Sequence, residues 1–347
     1  MPVTPRGRTR FKRMIGIITG PLNSEADDIE RFVYNHPLGN YFQSPSLYHL
    51  YLKTPNYTPM FLISYGQADE INGLLLANVQ REDGGVRGFF SSRCIAVGGP
   101  VVAGNDPRVA DELVRALVDE VKGKSIYLEF RQLFVGDSFV DVFQSAGFRP
   151  AEYLNYVVGI DGVDENKGRL NPTRRRQIGK AIKSGAEISV AHTLEEVREF
   201  YEILRSLYQS KVKKPLPPFE LFENFLNDET SGKYFLVRHK GKTVGGIMCP
   251  IFKDTIYEWF VCGLDTEYKE IYPSVLATWA PIEYAAANGL KYFDFMGAGP
   301  ANEEYGVRDF KAKFGGQLIS YNRFVKVNKK IRYVAGKAGL KVYSLLK

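Results

Sequence analysis

The segment from residue 290 to residue 324 combines acidic, basic and glycine residues that together could stabilise charge and move a proton. Its strand-like run YFDF contains Asp294 and leads into a glycine-rich turn at residues 297–300. Glycine lets a backbone turn sharply or approach a ligand closely. Beyond the turn come further charged and aromatic candidates, namely Tyr305, Arg308, Asp309, Phe310 and Lys311. A cation beside such a turn can stabilise a developing negative charge, and a carboxylate there can accept a proton.

We predict catalytic roles for three of these residues. Lys311 would face a cleft and stabilise a developing negative charge, while Asp294 or Asp309 would orient a nucleophile or accept its proton. The other three are predicted to contact substrate: Tyr305, Arg308 and Phe310. A structural interpretation stays open, because Phe310 shares helical spacing with core-like neighbours, and the aspartates could cap a strand or pair with Arg308.

The segment from residue 167 to residue 185 is strongly basic and has the signals of a helix. Asn171 can cap it, Pro172 suits its first turn, and Gly185 suits its end. Seven basic residues and no acidic residue lie between residues 167 and 183. Three of them are candidates for contact with phosphates of tRNA or of a nucleotide-linked substrate: Arg175, Arg176 and Lys180. A solvated helix face is the alternative, and the lack of an acidic partner in the segment favours the functional interpretation.

Other common kinds of site have no support in the sequence. The four histidines form no HExxH or similar ligand spacing, so neither a metal site nor a Ser-His-Asp triad is predicted. The three cysteines include no CxxC pair and are expected to be buried free thiols. Ordinary acetyltransferases hold the coenzyme A pyrophosphate with a Q/R-x-x-G-x-G/A loop at a helix start. Residues 264–275 stand in the corresponding place without a glycine, which disfavours coenzyme A.

The elements that must position these residues alternate between helix and strand along the chain. Apolar periodicity predicts helices at 110–121, 172–184, 194–209, 218–227 and 273–288. Strands are predicted at 60–64, 73–79, 125–130, 233–239, 243–252, 255–262 and 290–295. The halves end alike, since placing Phe143 over Phe310 matches a helix, a glycine turn and a closing strand over 16 residues. This similarity predicts a duplicated α/β unit, with a separate sheet in each half and a cleft between the copies.

We therefore divide the chain of 347 residues into domains at 14–165 and 166–325, followed by a basic tail at 326–347. The net charge of +7 is concentrated at the ends, where residues 1–13 and 326–347 carry five and seven basic groups and no acidic ones. No apolar run reaches the roughly 18–20 residues that span a bilayer, and the first residues lack a signal-peptide core, so we expect a cytoplasmic protein. The tail predicts weak contact with the anionic inner face of the cytoplasmic membrane, with a solvated tail as the alternative.

Four stretches follow one another in an order that is typical of a known family: GNYFQSPSLYHLYLK, RLNPTRRRQIGKAIKSG, YPSVLATWAPIEYAAANGLKYFDFMG and YGVRDFKAKFGG. They span residues 39 to about 325 and resemble the FemABX aminoacyltransferases, which transfer amino acids from aminoacyl-tRNA to peptidoglycan precursors. The last stretch is the most specific, because it keeps the family's FK-x-x-FG pattern. The resemblance implies an α/β fold of two tandem acetyltransferase-like (GNAT) domains. It also implies that Lys311, with Phe310, lies beside the reacting centre.

The chain departs from the family pattern in two places. In the family, the Gln-Ser segment continues to a tryptophan and then to a lysine that contacts precursor phosphate. Here Leu47 and Tyr51 hold these places, and Lys53 is the candidate substitute. Some members also carry a long helical hairpin for tRNA in the second domain, and no segment between residues 167 and 326 is long enough for one.

These observations support one leading function and two alternatives. The leading hypothesis is transfer of an amino acid from aminoacyl-tRNA to an amine of a nucleotide- or lipid-linked peptidoglycan precursor, without a cofactor. The donor is an activated ester, so positioning the amine can supply up to about 7–11 kcal/mol of the barrier. The first alternative is a GNAT-like N-acyltransferase that uses acyl-coenzyme A or another acyl donor on a polysaccharide, lipid or amino-acid amine. The second is a non-catalytic domain that binds precursor or membrane, although the intact FKAKFGG segment argues against it.

Overall fold

A computed structural model of the chain describes residues 15–82, 91–134, 139–228 and 230–334. The strands of the first half are β1 (Ile15–Ile18), β2 (Tyr57–Tyr65), β3 (Ile71–Gln80), β4 (Arg93–Val97), β5 (Val101–Val102), β6 (Tyr127–Arg131) and β7 (Arg149–Gly159). Its helices within these ranges are α1 (Glu25–Asn35), α2 (Pro45–Leu52), α3 (Pro107–Val121) and α4 (Val140–Ser145). Helix α3 buries Leu113, Leu117 and Val121, the residues whose spacing predicts its apolar face.

The second half repeats this alternation. Its strands are β8 (Ala186–Val190), β9 (Gly232–His239), β10 (Lys242–Phe252), β11 (Thr255–Tyr257), β12 (Phe260–Gly263), β13 (Tyr292–Asp294) and β14 (Gln317–Val327). Its helices are α5 (Val163–Arg169), α6 (Pro172–Lys183), α7 (Leu194–Leu207), α8 (Phe219–Leu226), α9 (Pro273–Ala287) and α10 (Gly306–Ala312). The helices predicted here from periodicity are confirmed to within a few residues. The strand predicted at 255–262 is interrupted between β11 and β12, at Glu258 and Trp259.

One sheet of 14 strands runs through both halves, so the expectation of a separate sheet in each half is wrong. The strand order is β1-β2-β3-β4-β6-β14-β7-β13-β11-β10-β9-β8, with β5 beside β3 and β12 beside β10. From either end, three antiparallel pairings lead to one parallel pairing, which is β4 with β6 or β11 with β13. Beyond each parallel pairing, the next strand is antiparallel and is the closing strand of the other half. Strand β6 pairs in this way with β14, and β13 pairs with β7. The halves thus exchange β7 and β14, and these two strands pair along nine aligned residues.

Helices cover both faces of the sheet and bury three apolar clusters. On one face, α1 and α2 share a core with α7 and α8 of the second half. Tyr41 in this core contacts Phe225 and Trp259 with ring centroids 6.4 and 6.1 Å apart. On the other face, α3 and α4 cover the first half, whereas α6 and α9 cover the second. The shared core and the exchanged strands therefore hold the halves against each other.

The segment predicted as a basic tail begins inside the last strand. Strand β14 runs through Val327, and Lys326 Nζ donates a hydrogen bond to Ala146 O of the first half at 2.5 Å. Residues 335–347, most of the predicted tail, lie outside the described residues, as does the basic stretch of residues 1–13. The membrane contact expected of the tail stays a prediction. In the part of the chain that the structure describes, no helix is long and apolar enough to cross a membrane.

Candidate active site

The strands β11 and β13 end side by side near the middle of the sheet, and the candidate site lies at their ends. Tyr257 is aligned with Asp294 in the last parallel pair. Beyond it, β13 enters the glycine-rich turn while β11 continues into Glu258. Helix α10 places Lys311 across the two ends. The register that aligns these strands therefore brings Glu258 to Asp294 and Lys311, which lie much further along the chain.

The ammonium group of Lys311 has three acceptors around it. Its Nζ lies 2.7 Å from Oε1 of Glu258 and donates to the carbonyl oxygens of Phe295 and Gly297, each at 2.8 Å. An ammonium group has three donors, so all of them are used. Lys311 is buried, and the expectation that it faces a cleft is wrong. The same contacts clamp the glycine turn against the end of β11.

Glu258 is a buried carboxylate with one oxygen to spare. Its Oε1 pairs with Lys311, whereas its Oε2 is buried and has no hydrogen-bond partner among the described residues. Burial raises the pKa of Glu258, and the neighbouring Lys311 opposes that rise. Buried polar atoms are almost always hydrogen-bonded, so a free carboxylate oxygen is a notable exception and a candidate proton acceptor. Sequence reasoning missed this residue, although an acidic residue inside the aromatic run IYEWF was the available signal.

Asp294 is held by three hydrogen bonds in which both halves take part. Its Oδ1 accepts from Asn155 Nδ2 at 2.8 Å and from Met296 N at 2.6 Å, and its Oδ2 accepts from the Tyr321 hydroxyl at 3.1 Å. Asn155 lies on β7 of the first half, and its Oδ1 also accepts from Gly297 N at 2.6 Å. Burial raises the pKa of Asp294, and these hydrogen bonds oppose the rise. The exchanged strand β7 is therefore part of the site.

The glycine turn is packed under the first residues of α10. A Cβ atom added at Gly299, where φ is +82°, would lie 2.6 Å from the ring of Tyr305, so only glycine fits there. Arg308 Nε donates to Ala298 O at 3.0 Å, and Arg308 also donates to Pro300 O. Both predicted substrate contacts thus shape the turn, and Tyr305 remains exposed beside it.

Phe310 and Asp309 lie on α10 without entering the cluster around Lys311. The guanidinium of Arg174 stacks over the Phe310 ring at 4.3 Å, and burial lowers the pKa of Arg174. Asp309 is exposed. Arg174 was not singled out from the sequence, although it precedes Ile178 by one helical turn and so shares its buried face.

The basic helix α6 is less free than its sequence indicates. Arg175 donates to the carbonyl oxygens of Gly168 and Leu170, and Lys180 pairs with Glu270. The sequence argument that this helix lacks acidic partners is wrong, because Glu270, which lies outside the basic segment, pairs with Lys180 in the folded chain. Arg176 remains exposed. Lys53 is exposed at the end of α2, far along the chain from α6. It lies beside α8, where its backbone carbonyl oxygen accepts a hydrogen bond from Asn224 Nδ2 at 3.4 Å.

Carboxylates of the chain itself occupy the starts of α9 and α3. At α9, the backbone N–H and hydroxyl of Ser274 donate to Asp265, at 3.0 and 2.5 Å. At α3, the backbone N–H of Arg108 donates to Asp106 at 2.9 Å. A helix start with free N–H groups binds anions, and a carboxylate already there competes with a phosphate and repels it.

The described residues hold no group of three or more His, Cys, Asp or Glu side chains placed to bind a metal ion. The prediction for the cysteines is confirmed, since Cys94, Cys249 and Cys262 are free and buried. Burial raises the pKa of each thiol, which makes them poor nucleophiles at neutral pH.

Comparison with known proteins identifies the fold. Residues 172–311 match a family model described as an acetyltransferase (GNAT) domain. The structure is similar to that of FemX, with a TM-score of 0.66 and 14% identity over 90% of this chain and 98% of that chain. It is also similar to the C-terminal domain of a candidate lysylphosphatidylglycerol synthetase from Agrobacterium fabrum, with a TM-score of 0.55 and 16% identity over 91% and 97% of the two chains.

A tandem GNAT protein of the clavulanic acid biosynthesis pathway is a third similar structure. Its TM-score is 0.54 at 10% identity, over 91% of this chain and 99% of that chain. No curated protein matches the sequence. The likeness shows a mixed α/β fold of two GNAT-like units in tandem, so the predicted fold class is confirmed.

Proposed function

We propose that this GNAT-like acyltransferase transfers an amino acid from aminoacyl-tRNA to an amine of a peptidoglycan precursor. The observation that carries the proposal is the buried pair of Lys311 and Glu258 beneath the glycine turn. The FK-x-x-FG segment resembles that of the FemABX enzymes, and its lysine meets a carboxylate with a free oxygen at the junction of both halves. The likeness of the fold to FemX supports the same assignment.

Glu258, Lys311 and Asp294 each have a separate role in the transfer. The amine attacks the ester carbonyl, so a C–N bond forms, the ester C–O bond breaks, and the ribose oxygen leaves with a proton. Glu258 accepts a proton of the attacking amine through its free Oε2 and passes it to the leaving ribose oxygen. Lys311 acts by its charge, because its three protons are already donated, and it stabilises the oxyanion. Asp294 fixes the turn and orients the amine.

The starts of the helices favour an aminoacyl ester over coenzyme A as the donor. Asp265 occupies the place at α9 where a pyrophosphate would accept hydrogen bonds. The exposed Arg176 and Lys183 leave α6 able to contact tRNA phosphates. Transfer from acyl-coenzyme A is the alternative.

A lipid acceptor is a second candidate, favoured by the fold shared with the candidate lysylphosphatidylglycerol synthetase. The three possibilities are separated by one assay. The protein is incubated with charged tRNA and purified precursor, with and without ribonuclease, and the mass of the precursor is then measured by mass spectrometry. Parallel reactions replace the precursor by phosphatidylglycerol or the charged tRNA by acetyl-coenzyme A.

We expect a mass gain on the precursor that ribonuclease abolishes and that Glu258→Gln greatly reduces. Glu267→Gln, an exposed substitution of the same kind, should leave it unchanged. A gain only with acetyl-coenzyme A, or only on the lipid, would replace the proposal by the corresponding alternative.

A further inference from the structure

A second charged cluster lies on the sheet between the glycine turn and the first half. Arg131 on β6 and Arg323 on β14 are directly opposite each other in the antiparallel ladder. Like charges in this position destabilise a sheet. Glu129 lies between them, and its carboxylate accepts from Arg131 Nε and Nη2 at 3.1 Å and from Arg323 Nη1 at 3.2 Å.

Among the described residues, the two guanidinium groups share one carboxylate, so one positive charge of the cluster has no carboxylate partner there. Lys214 adds to the positive potential. Desolvation is the largest effect that lowers the pKa of Lys214, although its side chain is exposed. The positive charges of Arg323 and Arg131 lower this pKa further. Lys214 therefore lies close enough to Arg131 and Arg323 for their charges to act on it. The side chains of Arg131 and Arg323 are 40% and 24% exposed, so an anion from solvent can reach this excess charge.

One donor group of this cluster, Nη2 of Arg323, lies beside the glycine turn. The plane of Arg323 stacks on the ring of Tyr153 at 3.9 Å, which fixes its orientation. A Cβ atom added at Gly297 would lie 3.8 Å from Arg323 Nη2. Each guanidinium has five N–H donors, and among the described residues Glu129 takes only two of those on Arg131 and one of those on Arg323.

Nη2 of Arg323 also lies close to the reacting centre. The carbonyl oxygen of Gly297 accepts from Lys311 at 2.8 Å, and Arg323 approaches the same glycine. Arg323 Nη2 and Lys311 Nζ are therefore no more than about 10 Å apart, given the dimensions of one residue. A group bound by Arg323 lies only a few bonds from the atoms that react.

We propose that Arg131 and Arg323 bind a carboxylate of the acceptor, located a few bonds from its attacking amine. This inference rests on the proposed function and narrows its acceptor to one that carries an acid near the amine. A single unpaired charge complements a carboxylate, and the planar guanidinium matches it in two parallel hydrogen bonds. A diphosphate that links a precursor to its nucleotide or lipid carries two charges and is separated from the amine by sugar and peptide.

The test measures binding without a donor, by titration calorimetry of the full chain. The probes are a short lysine-containing peptide with a free C-terminal carboxylate and the same peptide as its C-terminal amide. We expect the acid to bind about tenfold or more tightly, which is the scale of a charge-assisted hydrogen bond. The preference should vanish in Arg323→Gln and in Arg131→Gln. Arg149→Gln, on the exposed part of neighbouring β7, should retain it.

Thermal melting of each variant shows that loss of the preference is not loss of the fold. If Arg323→Gln melts early, Arg131→Gln, which keeps Glu129 paired with Arg323 and also removes the excess charge, provides the same measurement. Equal binding of acid and amide by the natural protein overturns the inference, as does a preference that survives in both arginine variants. Stronger competition by inorganic diphosphate than by acetate also overturns it. This test measures binding and not transfer, so its failure can be told apart from failure of the transfer assay.

Discussion

Lys311 Nζ lies 2.7 Å from Oε1 of Glu258, and each side chain is at least nine-tenths buried. The lysine also donates to two carbonyl oxygens of the chain that follows β13, so one ammonium group joins the ends of two strands. The carboxylate depends on this contact, because an unpaired charge in the interior is costly. Function and stability are therefore coupled at Lys311.

Replacement of Lys311 by Met should remove transfer and destabilise the protein together. Removing one partner of a buried pair costs about 3–5 kcal/mol, and we expect a loss of this size in urea unfolding. The double variant Lys311→Met/Glu258→Leu should recover much of the stability but no transfer, because it leaves no buried charge unpaired. Lys313→Met, on the exposed neighbour, is the control. Full transfer by Lys311→Met would remove the lysine from the mechanism.

The rate of transfer should depend on the ionisation of Glu258. Burial raises its pKa above the ordinary value of 4.5, so the basic form accumulates only above that raised pKa. The rate should accordingly rise with pH through a limb that lies above 4.5, and Glu258→Gln should abolish the limb. A raised pKa in the folded state favours the protonated form, so the contribution of Glu258 to stability falls as the pH rises through that value. A pH–rate profile that Glu258→Gln leaves unchanged would contradict the proposed base.

Acetyl-coenzyme A should not bind measurably to the natural protein, because Asp265 occupies the start of α9. Calorimetric titration tests this directly. Asp265→Ala should lower stability by about 0.5–2 kcal/mol, the usual cost of losing a helix cap, whereas Glu267→Ala should not. Micromolar binding of acetyl-coenzyme A by the natural protein would favour the alternative donor.

The two exposed cations of α6 should contribute to binding of tRNA. Arg176→Ala and Lys183→Ala should each raise the KM for charged tRNA and reduce the slope of its salt dependence by about one phosphate contact. Lys122→Ala, an exposed lysine of the first half, should change neither quantity. If the three variants behave alike, the basic face of α6 is merely solvated.

Local periodicity determined much of this protein. The spacing of Leu113, Leu117 and Val121 predicts the buried face of α3, because the repeat of a helix depends only on neighbouring residues. Likewise, Asn171 caps the start of α6 and Gly185 follows its end. The sequence also predicts Asp294 at the end of a strand and Lys311 in the short segment that follows, and the structure brings them to the same pair of strand ends.

Tertiary structure alone decided which strands meet and which charges pair. A sheet edge is completed by backbone hydrogen bonds, which are the same for every residue, so the sequence does not reveal that β7 and β14 change places. That exchange brings Asn155 to Asp294 and sets Arg323 opposite Arg131. The pairing of Lys311 with Glu258 similarly depends on distance across the fold, which residue spacing along the chain does not encode.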